Sequence, residues 1–206
     1  MKLLTVSDTV MPTLENAANL RRRYSDVDLV VSCGDLPVAY LEYITTILNV
    51  PMVYVRGNHD ESYEESPPGG INLHQKIFTY EGISFVGLEG SIKYNRGKIQ
   101  YTQRQMNGMV RGMCLKMRLH KFQTGFYPDI LVTHSPPWGI HDADDVPHRG
   151  FKGLLTFMQR YKPRYMFHGH VHTWDRRKTV VTDYEETTIM NINPYTIIEI
   201  EPRKKQ

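Results

Sequence analysis

Six polar side chains that could bind metal ions come directly after short apolar runs of the sequence. Aspartate, asparagine and histidine together form an oxygen and nitrogen donor set without a thiolate. Such a set suits manganese, iron or zinc and is poor for a calcium site, which takes oxygen ligands. We interpret these residues as the ligands of a divalent metal site: Asp8, Asp35, Asn58, His134, His170 and His172.

Taken singly, these residues have ordinary structural interpretations. An aspartate after a strand, such as Asp8 or Asp35, is usually a turn or a helix cap, and His134 alone could be a satisfied core histidine. The pair His170 and His172 is more specific. Two histidines at alternate positions after a buried strand, preceded by a glycine that allows close backbone approach, are costly to hold in place unless something binds them.

The chemistry that such a site favours is hydrolysis of a phosphoester. Two cations bridged by one carboxylate lie roughly 3.5–4 Å apart, polarise a shared water into hydroxide near neutral pH and neutralise charge on the phosphoryl oxygens. Asp35 is the candidate for the bridging carboxylate. No side-chain nucleophile is then required.

An alternation of buried strands and helices is predicted to position these residues. Apolar runs at 3–6, 28–33, 52–55, 130–132 and 164–167 predict strands, and helical spacing predicts helices at about 39–48, 102–120 and 151–161. The carboxyl ends of strands in an open α/β sheet meet at one edge, where ligands bind. We therefore expect the candidate ligands to converge there.

The remaining segments complete the predicted fold. Residues 77–88 indicate a hairpin that turns at Glu81-Gly82, and residues 179–201 indicate two or three antiparallel strands that close a sheet. We find no internal repeat and no linker long enough to divide the chain. The sequence therefore predicts a single domain over residues 1–206, an α/β sandwich with helices outside and right-handed crossovers.

The overall charge does not indicate a nucleic-acid or membrane partner. The chain has 25 Lys and Arg against 22 Asp and Glu, a formal net charge of +3. The densest basic clusters, 21–23 and 203–205, are short and lack interleaved aromatic residues, which is typical of a solvated helix face and a tail. We expect neither nucleic acid nor a membrane as a partner.

Cysteine content and hydropathy favour a cytoplasmic protein. Only Cys33 and Cys114 occur, and Cys33 lies in an apolar run, which argues against a disulfide framework and for a reducing compartment. The amino terminus lacks the apolar length of a signal peptide, and no apolar run reaches about eighteen residues.

Taken in chain order, the motifs resemble the signature of the calcineurin-like metallophosphoesterases: Asp8, Gly34-Asp35, Gly57-Asn58-His59-Asp60, Thr133-His134 and Gly169-His170-Val171-His172. The resemblance spans most of the chain. It implies a four-layer α/β/β/α sandwich and two divalent metal ions. One ion would be bound by Asp8, Asp35 and His172, and the other by Asp35, Asn58, His134 and His170.

The resemblance also implies a role for His59, which would contact the scissile phosphate and protonate the leaving oxygen. His59, Asp35 and Asn58 are therefore the candidate catalytic residues. Asp60 is expected to be a structural neighbour.

One departure from the family pattern concerns the first metal. The family has Asp-x-His where this chain has Asp8-Thr9-Val10, and valine has no metal-binding atom. We expect water to fill the gap and to leave the ion weakly bound or absent, although His141 or Asp142 could reach in. The alternative is a catalytically degenerate scaffold that binds a protein partner.

The expected substrate is a small phosphodiester or phosphomonoester, with a nucleotide-like molecule possible. We expect no additional domain of the kind that nuclease members of the family use to hold duplex ends, so a small or extended phosphoester suits the chain better than long DNA. A nuclease acting on single strands is a second alternative. Candidate substrate contacts, which could equally be solvated loop residues, are Tyr94, Asn95, Arg96, His148 and Arg149.

Overall fold

The computed structural model describes residues 1–172 and 180–203. The strands of this part are Lys2–Val6 (β1), Leu29–Ser32 (β2), Met52–Tyr54 (β3), Ile71–Asn72 (β4), Ile77–Tyr80 (β5), Ile83–Leu88 (β6), Ser91–Ile92 (β7), Gln100–Tyr101 (β8), Ile130–Thr133 (β9), Tyr165–His168 (β10), Val180–Tyr184 (β11), Thr187–Asn191 (β12) and Tyr195–Glu199 (β13). The α-helices are Ala17–Arg23 (α1), Val38–Leu48 (α2), Gln103–Gly112 (α3), Cys114–Thr124 (α4) and Lys152–Tyr161 (α5).

Two mixed sheets form the centre of the molecule. The first has the order β13-β1-β2-β3-β4 and the second β11-β12-β10-β9-β6-β5, while β7 and β8 form a small separate pair. The inner strands of both sheets are parallel, and antiparallel strands lie at the edges. The parallel strands therefore end at a common edge of each sheet.

The strands alternate between two apolar environments, which produces four layers. Phe85 and Phe167 of the second sheet face Leu29 and Val31 of the first in a fully buried inter-sheet core. The intervening residues face outward, where α1 and α2 cover the first sheet and α3, α4 and α5 cover the second. Burial on both faces explains the unbroken apolar runs in the sequence, and the predicted α/β/β/α sandwich is confirmed.

The single long helix predicted over residues 102–120 is wrong. The structure has two helices, α3 and α4, separated by Met113, and the second continues to Thr124. Gly112 precedes the break, and glycine has a weak helical propensity because it loses the most backbone freedom on ordering. Thr102 caps α3 with Gln105 in a capping box, so the predicted start lies one residue early.

The hairpin prediction is confirmed. Strands β5 and β6 pair antiparallel around Glu81 and Gly82, which both have positive φ, as a two-residue hairpin turn requires.

The closing strands divide between the two sheets. Strands β11 and β12 form an antiparallel hairpin in the second sheet, whereas β13 pairs with β1 in the first. The prediction of antiparallel strands closing one sheet is therefore correct for the pairing and wrong for the destination of β13. Thr179, where the prediction began, and Lys204 and Lys205 of the basic tail lie outside the described residues.

No helix in the described ranges has the length and apolar character needed to cross a bilayer.

Candidate metal centre

Five strand ends, three from the first sheet and two from the second, bring the candidate ligands to one edge of the sandwich. The residues that follow β1 and β2 are joined by the N–H of Asp8, which donates to Gly34 O at 3.1 Å. Those after β9 and β10 are joined by the N–H of Gly169, which donates to His134 O at 2.9 Å. Backbone hydrogen bonds thus fix the loops that carry the polar side chains.

Glycines make this close approach possible. A Cβ on Gly169 would lie 1.9 Å from Ser7 Oγ and 2.3 Å from Asp8 Oδ2, and one on Gly57 would lie 2.0 Å from Asp35 Oδ1. The motif glycines are therefore required by space. The inference drawn from sequence for Gly169, that it lets backbones approach closely, is confirmed.

Four candidate ligand atoms converge on one another. His134 Nε2 lies 3.2 Å from Asp35 Oδ2, 3.1 Å from Asn58 Oδ1 and 3.1 Å from His170 Nδ1. In the cluster of Asp35, His134 and His170, the ligand atoms all lie within 4.8 Å of one another and could hold a metal ion, and the Asn58 oxygen adds a fourth donor. The set of two oxygens and two nitrogens fits a divalent transition-metal ion.

In each of the two histidines, one ring nitrogen donates to a backbone carbonyl and the other faces the cluster. Nδ1–H of His134 donates to Cys33 O at 2.8 Å, and Nε2–H of His170 donates to Pro147 O at 2.8 Å. These bonds fix the ring orientations, so Nε2 of His134 and Nδ1 of His170 point into the cluster. Hydrogen bonds that fix a ligating imidazole in this way are typical of metal sites.

The cluster contains an ion pair when no cation is bound. Burial opposes ionisation of Asp35, but the charge and hydrogen bond of His134 outweigh it and lower the pKa of Asp35 to about 2. Burial likewise opposes protonation of His134, yet the carboxylates of Asp35 and Asp8 raise its pKa to about 10. The proton on His134 Nε2 therefore lies among the acceptor atoms of Asp35, Asn58 and His170. The centre of the cluster is thus a favourable position for positive charge.

His170 has the opposite electrostatics. Burial and the neighbouring charge of His134 lower the pKa of His170 to about 3. The ring is neutral near physiological pH and can act as a nitrogen donor without first losing a proton.

Asp8 lies beside this cluster, and His172 lies away from it. Asp8 Oδ2 accepts hydrogen bonds from Ser7 Oγ at 2.5 Å and from the N–H of His170 at 2.9 Å. Burial and the charge of Asp35 raise the pKa of Asp8. His172 is exposed and does not belong to the cluster that the described residues form. The structure therefore brings together the second predicted ligand set more closely than the first.

The side chains considered for the gap at Val10 have other contacts. Val10 packs against the apolar cluster between the first sheet and its helices. His141 bonds through Nδ1 to His168 Nε2 at 2.9 Å and through Nε2 to Thr182 Oγ1 at 2.8 Å, and Asp142 accepts from the N–H of Gly150. Neither His141 nor Asp142 reaches the cluster, which leaves water as the expected ligand in that gap.

Three candidate ligands have left-handed backbone conformations. The φ angles of Asp8, Asp35 and His170 are 61°, 57° and 69°. Such a conformation costs on the order of 1 kcal/mol in a residue with a Cβ and recurs at functional sites, where the surrounding structure maintains it. The strain aims each side chain at the sheet edge instead of along the continuing strand.

Asp60 joins two of the loops, in agreement with the expected structural role. Its Oδ2 accepts hydrogen bonds from the N–H groups of Asp35 and Gly57, both at 2.8 Å. Burial and the charge of Asp35 raise the pKa of Asp60 to about 6. The N–H of His59 donates to Asp35 Oδ1 at 2.8 Å, which leaves the exposed His59 ring outside the cluster.

A cleft of about 600 Å³ opens beside Asn58 and His59. This volume suits a small organic ligand. Sequence reasoning missed Glu61, Gly97 and Gln100, and nothing in the sequence distinguished them from ordinary loop residues. The cleft is lined by Asn58, His59, Glu61, Tyr94, Asn95, Arg96, Gly97 and Gln100.

Tyr94 also orients a candidate ligand. Asn58 Nδ2 donates to the Tyr94 hydroxyl at 3.2 Å, and this bond turns Asn58 Oδ1 toward His134. Gln100 in turn fixes the loop, because its Oε1 accepts from the N–H groups of Tyr94 and Asn95 at 3.1 Å each. Tyr94 thus supports the cluster as well as lining the cleft.

His148 and Arg149 differ in their position relative to the cluster. The His148 ring lies 5.1 Å from the His170 ring, and its Nδ1 lies 2.7 Å from Asp145 Oδ2. Arg149 lies 5.7 Å above the Trp138 ring and donates to Asp144 O. Of the two, only His148 contacts a candidate ligand in the described part of the chain.

An ion pair between Arg56 and the buried Glu89 was not anticipated from the sequence. Arg56, which directly precedes Gly57, donates two hydrogen bonds to Glu89 at 2.7 and 2.8 Å. Tyr101 donates to the same carboxylate at 2.8 Å. This pair ties the loop after β3 to the loop after β6.

The chain is similar in sequence to known proteins over most of its length. The sequence profile described as Calcineurin-like phosphoesterase matches residues 1–174. An uncharacterized protein of Methanocaldococcus jannaschii is 23% identical over 200 residues, which covers 89% of this chain and 85% of that protein.

Two solved structures resemble the fold at low sequence identity. The crystal structure of TT1561 from Thermus thermophilus has a TM-score of 0.63 at 14% identity, with 92% of this chain and 88% of that chain covered. GAP50, described as the anchor in the inner membrane complex of Plasmodium, has a TM-score of 0.57 at 12% identity, with 93% and 70% covered. These structures support the architecture alone.

Proposed function

Because the chain belongs to the calcineurin-like phosphoesterase family, we propose that it is a metal-dependent hydrolase of a small phosphodiester or phosphomonoester. The observation that carries the proposal is the convergence of Asp35, Asn58, His134 and His170 at 3.1–3.2 Å. The backbone hydrogen bonds of the two histidines leave Nε2 of His134 and Nδ1 of His170 facing inward. Several electron-pair donors facing one another indicate a place for a cation.

We assign these four side chains to one divalent ion, for which manganese, iron and zinc are all suitable. When bound, such an ion lowers the pKa of a coordinated water and neutralises charge on the phosphoryl oxygens. Asp8, Asp35 and His172 are proposed for a second ion. That ion is expected to bind more weakly, because Val10 offers no ligand atom and His172 is exposed.

The protein's own groups supply orientation and proton transfer in this proposal. His59 is the proposed general acid, since its ring is exposed at the cleft next to Asn58. Arg96 lines the same cleft and can pair with a phosphate oxygen, while Tyr94 keeps the Asn58 oxygen turned toward the cluster. His148, beside His170, is a further proposed substrate contact.

The experiment is a metal analysis combined with an assay on two generic substrates. The purified protein is loaded with manganese, iron or zinc and tested on bis(4-nitrophenyl) phosphate and on 4-nitrophenyl phosphate. We expect turnover of at least one substrate and its loss, together with loss of metal, in Asp35→Ala. The matched control is Asp26→Ala, because Asp26 pairs with Lys2 at the surface. Absence of turnover with all three metals would contradict the proposal.

The second candidate function is a protein-binding scaffold with a degenerate site. Val10 and the exposed His172 favour it, because both weaken the first metal site. The two functions differ in the assay above, where a scaffold shows no turnover at any metal loading. A nuclease acting on single strands differs by cleaving oligonucleotides and by binding that weakens steeply with salt.

A single domain over residues 1–206 and a cytoplasmic location remain parts of this proposal.

A further inference from the structure

An apolar stripe lies exposed on the outer side of α4. The exposed fractions of Leu115, Leu119 and Phe122 are 77%, 53% and 88%, whereas Met117 on the opposite side of the helix is fully buried. Spacings of four and three residues place the three exposed side chains on one face. Helix α4 thus has a second apolar face in addition to the one that packs on the sheet.

Two glycines of α3 lie on the same helical face as the apolar stripe of α4. Gly108 and Gly112 are exposed, and a Cβ on either would meet nothing within 4 Å. The helical register carries over the break because Met113 has φ −76° and ψ −11°, its N–H donates to Met109 O at 3.1 Å, and its carbonyl accepts from Met117 at 3.0 Å. Positions 108, 112, 115, 119 and 122 therefore follow the alternating four and three spacing of a coiled-coil seam.

Arginines recur every seven residues along one flank of this seam. Arg104, Arg111 and Arg118 are exposed, and Lys116 lies on the other flank. No Asp or Glu occurs between Glu89 and Asp129. In coiled coils the charges that flank the seam select the partner, and arginine is the cation that protein interfaces favour.

We propose that the seam face, defined as Gly108, Gly112, Leu115, Leu119 and Phe122 with its flanking arginines, docks an amphipathic helix of a partner protein. The apolar seam of that helix is flanked by glutamate or aspartate, which complement the arginines. The two glycines allow a close approach at one end, and the three large side chains fill the seam at the other. The inference is independent of the proposed hydrolase activity.

A second copy of this chain does not fit the same face. Parallel pairing places Arg111 of one copy close to Lys116 of the other, and antiparallel pairing places arginines together. Like charges in these positions oppose association. Nucleic acid would use the cations but leaves the exposed Leu and Phe side chains without a role.

Positive charge continues beyond the C-terminal end of α4. A cleft of about 610 Å³ begins at Lys121 and lies near the amino-terminal ends of β9 and β10, opposite the candidate metal centre. Glu186 and Asp129 offset part of its charge. An acidic partner longer than α4 would meet complementary charge there. The basic residues that line this cleft are Lys121, Arg160, Lys162, Arg164 and Arg203.

The test uses a synthetic helical peptide of three heptads with Leu at the seam positions and Glu at both flanks. A matched peptide has Lys in place of each Glu. Fluorescence anisotropy of the labelled peptides measures binding to the full chain. We expect the Glu peptide to bind at least about tenfold more tightly than the Lys peptide, and added salt to reduce the difference.

Substitutions in the chain identify the face that binds. The double variants Leu119→Ser with Phe122→Ser, and Arg111→Gln with Arg118→Gln, should each weaken Glu-peptide binding at least about tenfold. The controls remove an apolar side chain that is 50% exposed, close to the exposure of Leu119, in Val181→Ser, or two exposed arginines of α1 in Arg21→Gln with Arg22→Gln. They should leave binding unchanged.

Several results would overturn the proposal. These are no binding of the Glu peptide, equal losses in the seam and control variants, or a concentration-dependent dimer that the Leu119→Ser, Phe122→Ser variant abolishes. Uptake by phosphatidylglycerol vesicles through Phe122, without peptide binding, would identify the face as a lipid contact instead. Phosphoester turnover is measured in parallel, and its absence alone leaves the peptide result intact.

Discussion

At the scale of single residues, the candidate metal centre depends on which atom of each histidine is free. His134 and His170 are neighbours, yet the pKa of the first is raised to about 10 and that of the second is lowered to about 3. The difference arises because burial outweighs other effects at His170, whereas Asp35 and Asp8 place negative charge beside His134. One proton therefore occupies the cluster near neutral pH.

This proton predicts a defined linkage between metal binding and pH. Below pH 10 the free protein holds a proton on His134, while Asp35, with a pKa of about 2, is already ionised. Binding one metal ion at pH 8, where Asp60 with its pKa of about 6 is already ionised, should therefore release about one proton, and affinity should rise about tenfold per pH unit. Calorimetric titration in buffers of different ionisation enthalpy measures the number. Release of none, or of two, would contradict the assignment.

His59 carries a separate prediction about leaving groups. As a general acid, it should contribute about 10²–10⁴-fold to cleavage of a diester with a phenyl leaving group. It should matter far less for 4-nitrophenolate, which leaves with little protonation. The variant His59→Gln is assayed on both diesters, with metal content as the control. An equal loss on both substrates would indicate a positioning role instead.

At the scale of elements, the site depends on loops that follow parallel strands and touch one another. The loop after β1 of the first sheet meets the loop after β10 of the second sheet, where Gly169 faces Ser7 and Asp8. The carboxyl ends of the parallel strands of both sheets therefore lie close together. There is no room for a side chain at Gly169, so a larger residue there would push apart the loops that contain the candidate ligands.

The variant Gly169→Ala tests this linkage. Its Cβ would lie 1.9 Å from Ser7 Oγ, so the loops must separate, and we expect a loss of about 1–3 kcal/mol in unfolding free energy with weaker metal binding. The matched control is Gly108→Ala on the exposed side of α3, where nothing lies within 4 Å. The control should gain about 0.5–1 kcal/mol. Urea denaturation and metal titration of both variants measure the effects, and a neutral Gly169→Ala would refute the close-approach argument.

At the scale of the whole molecule, the inter-sheet core holds the two halves of the site together. The loops after β1, β2 and β3 contain Asp8, Asp35 and Asn58, while the loops after β9 and β10 of the other sheet contain His134 and His170. Strand β13 strengthens the connection, because the chain leaves the second sheet after β12 and pairs with β1, and Ser7 N–H donates to Pro194 O. The packing of the sheets therefore sets the separation between the two groups of ligands.

Phe167 and Phe122 provide a matched test of this core. Phe167→Ala should cost about 3–5 kcal/mol of unfolding free energy, because its side chain is fully buried between the sheets and the substitution leaves a cavity. Phe122→Ala removes the same atoms from a side chain that is 88% exposed, and it should change stability by less than about 0.5 kcal/mol. Chemical denaturation compares them. Similar losses in both would contradict the placement of the core.

Local patterns in the sequence predicted the strands that precede the site and the candidate ligands that follow them. Buried parallel strands require unbroken apolar runs, and each run ends at a polar residue, so the position of Asp35 or His134 at a strand end could be inferred from local pattern. The close approach of the backbone at Gly169 could be inferred in the same way. The break at Met113 could not, because the helical spacing continues through it.

The grouping of the candidate ligands depends on contacts between distant parts of the chain. That Asp35, Asn58, His134 and His170 converge, while His172 is exposed, depends on loop conformations with positive φ and on packing between two sheets. Neither leaves a local pattern in the sequence. The same holds for the Arg56 and Glu89 pair and for the destination of β13, because contacts between residues far apart in the chain are fixed by how the layers pack and not by the spacing of side chains.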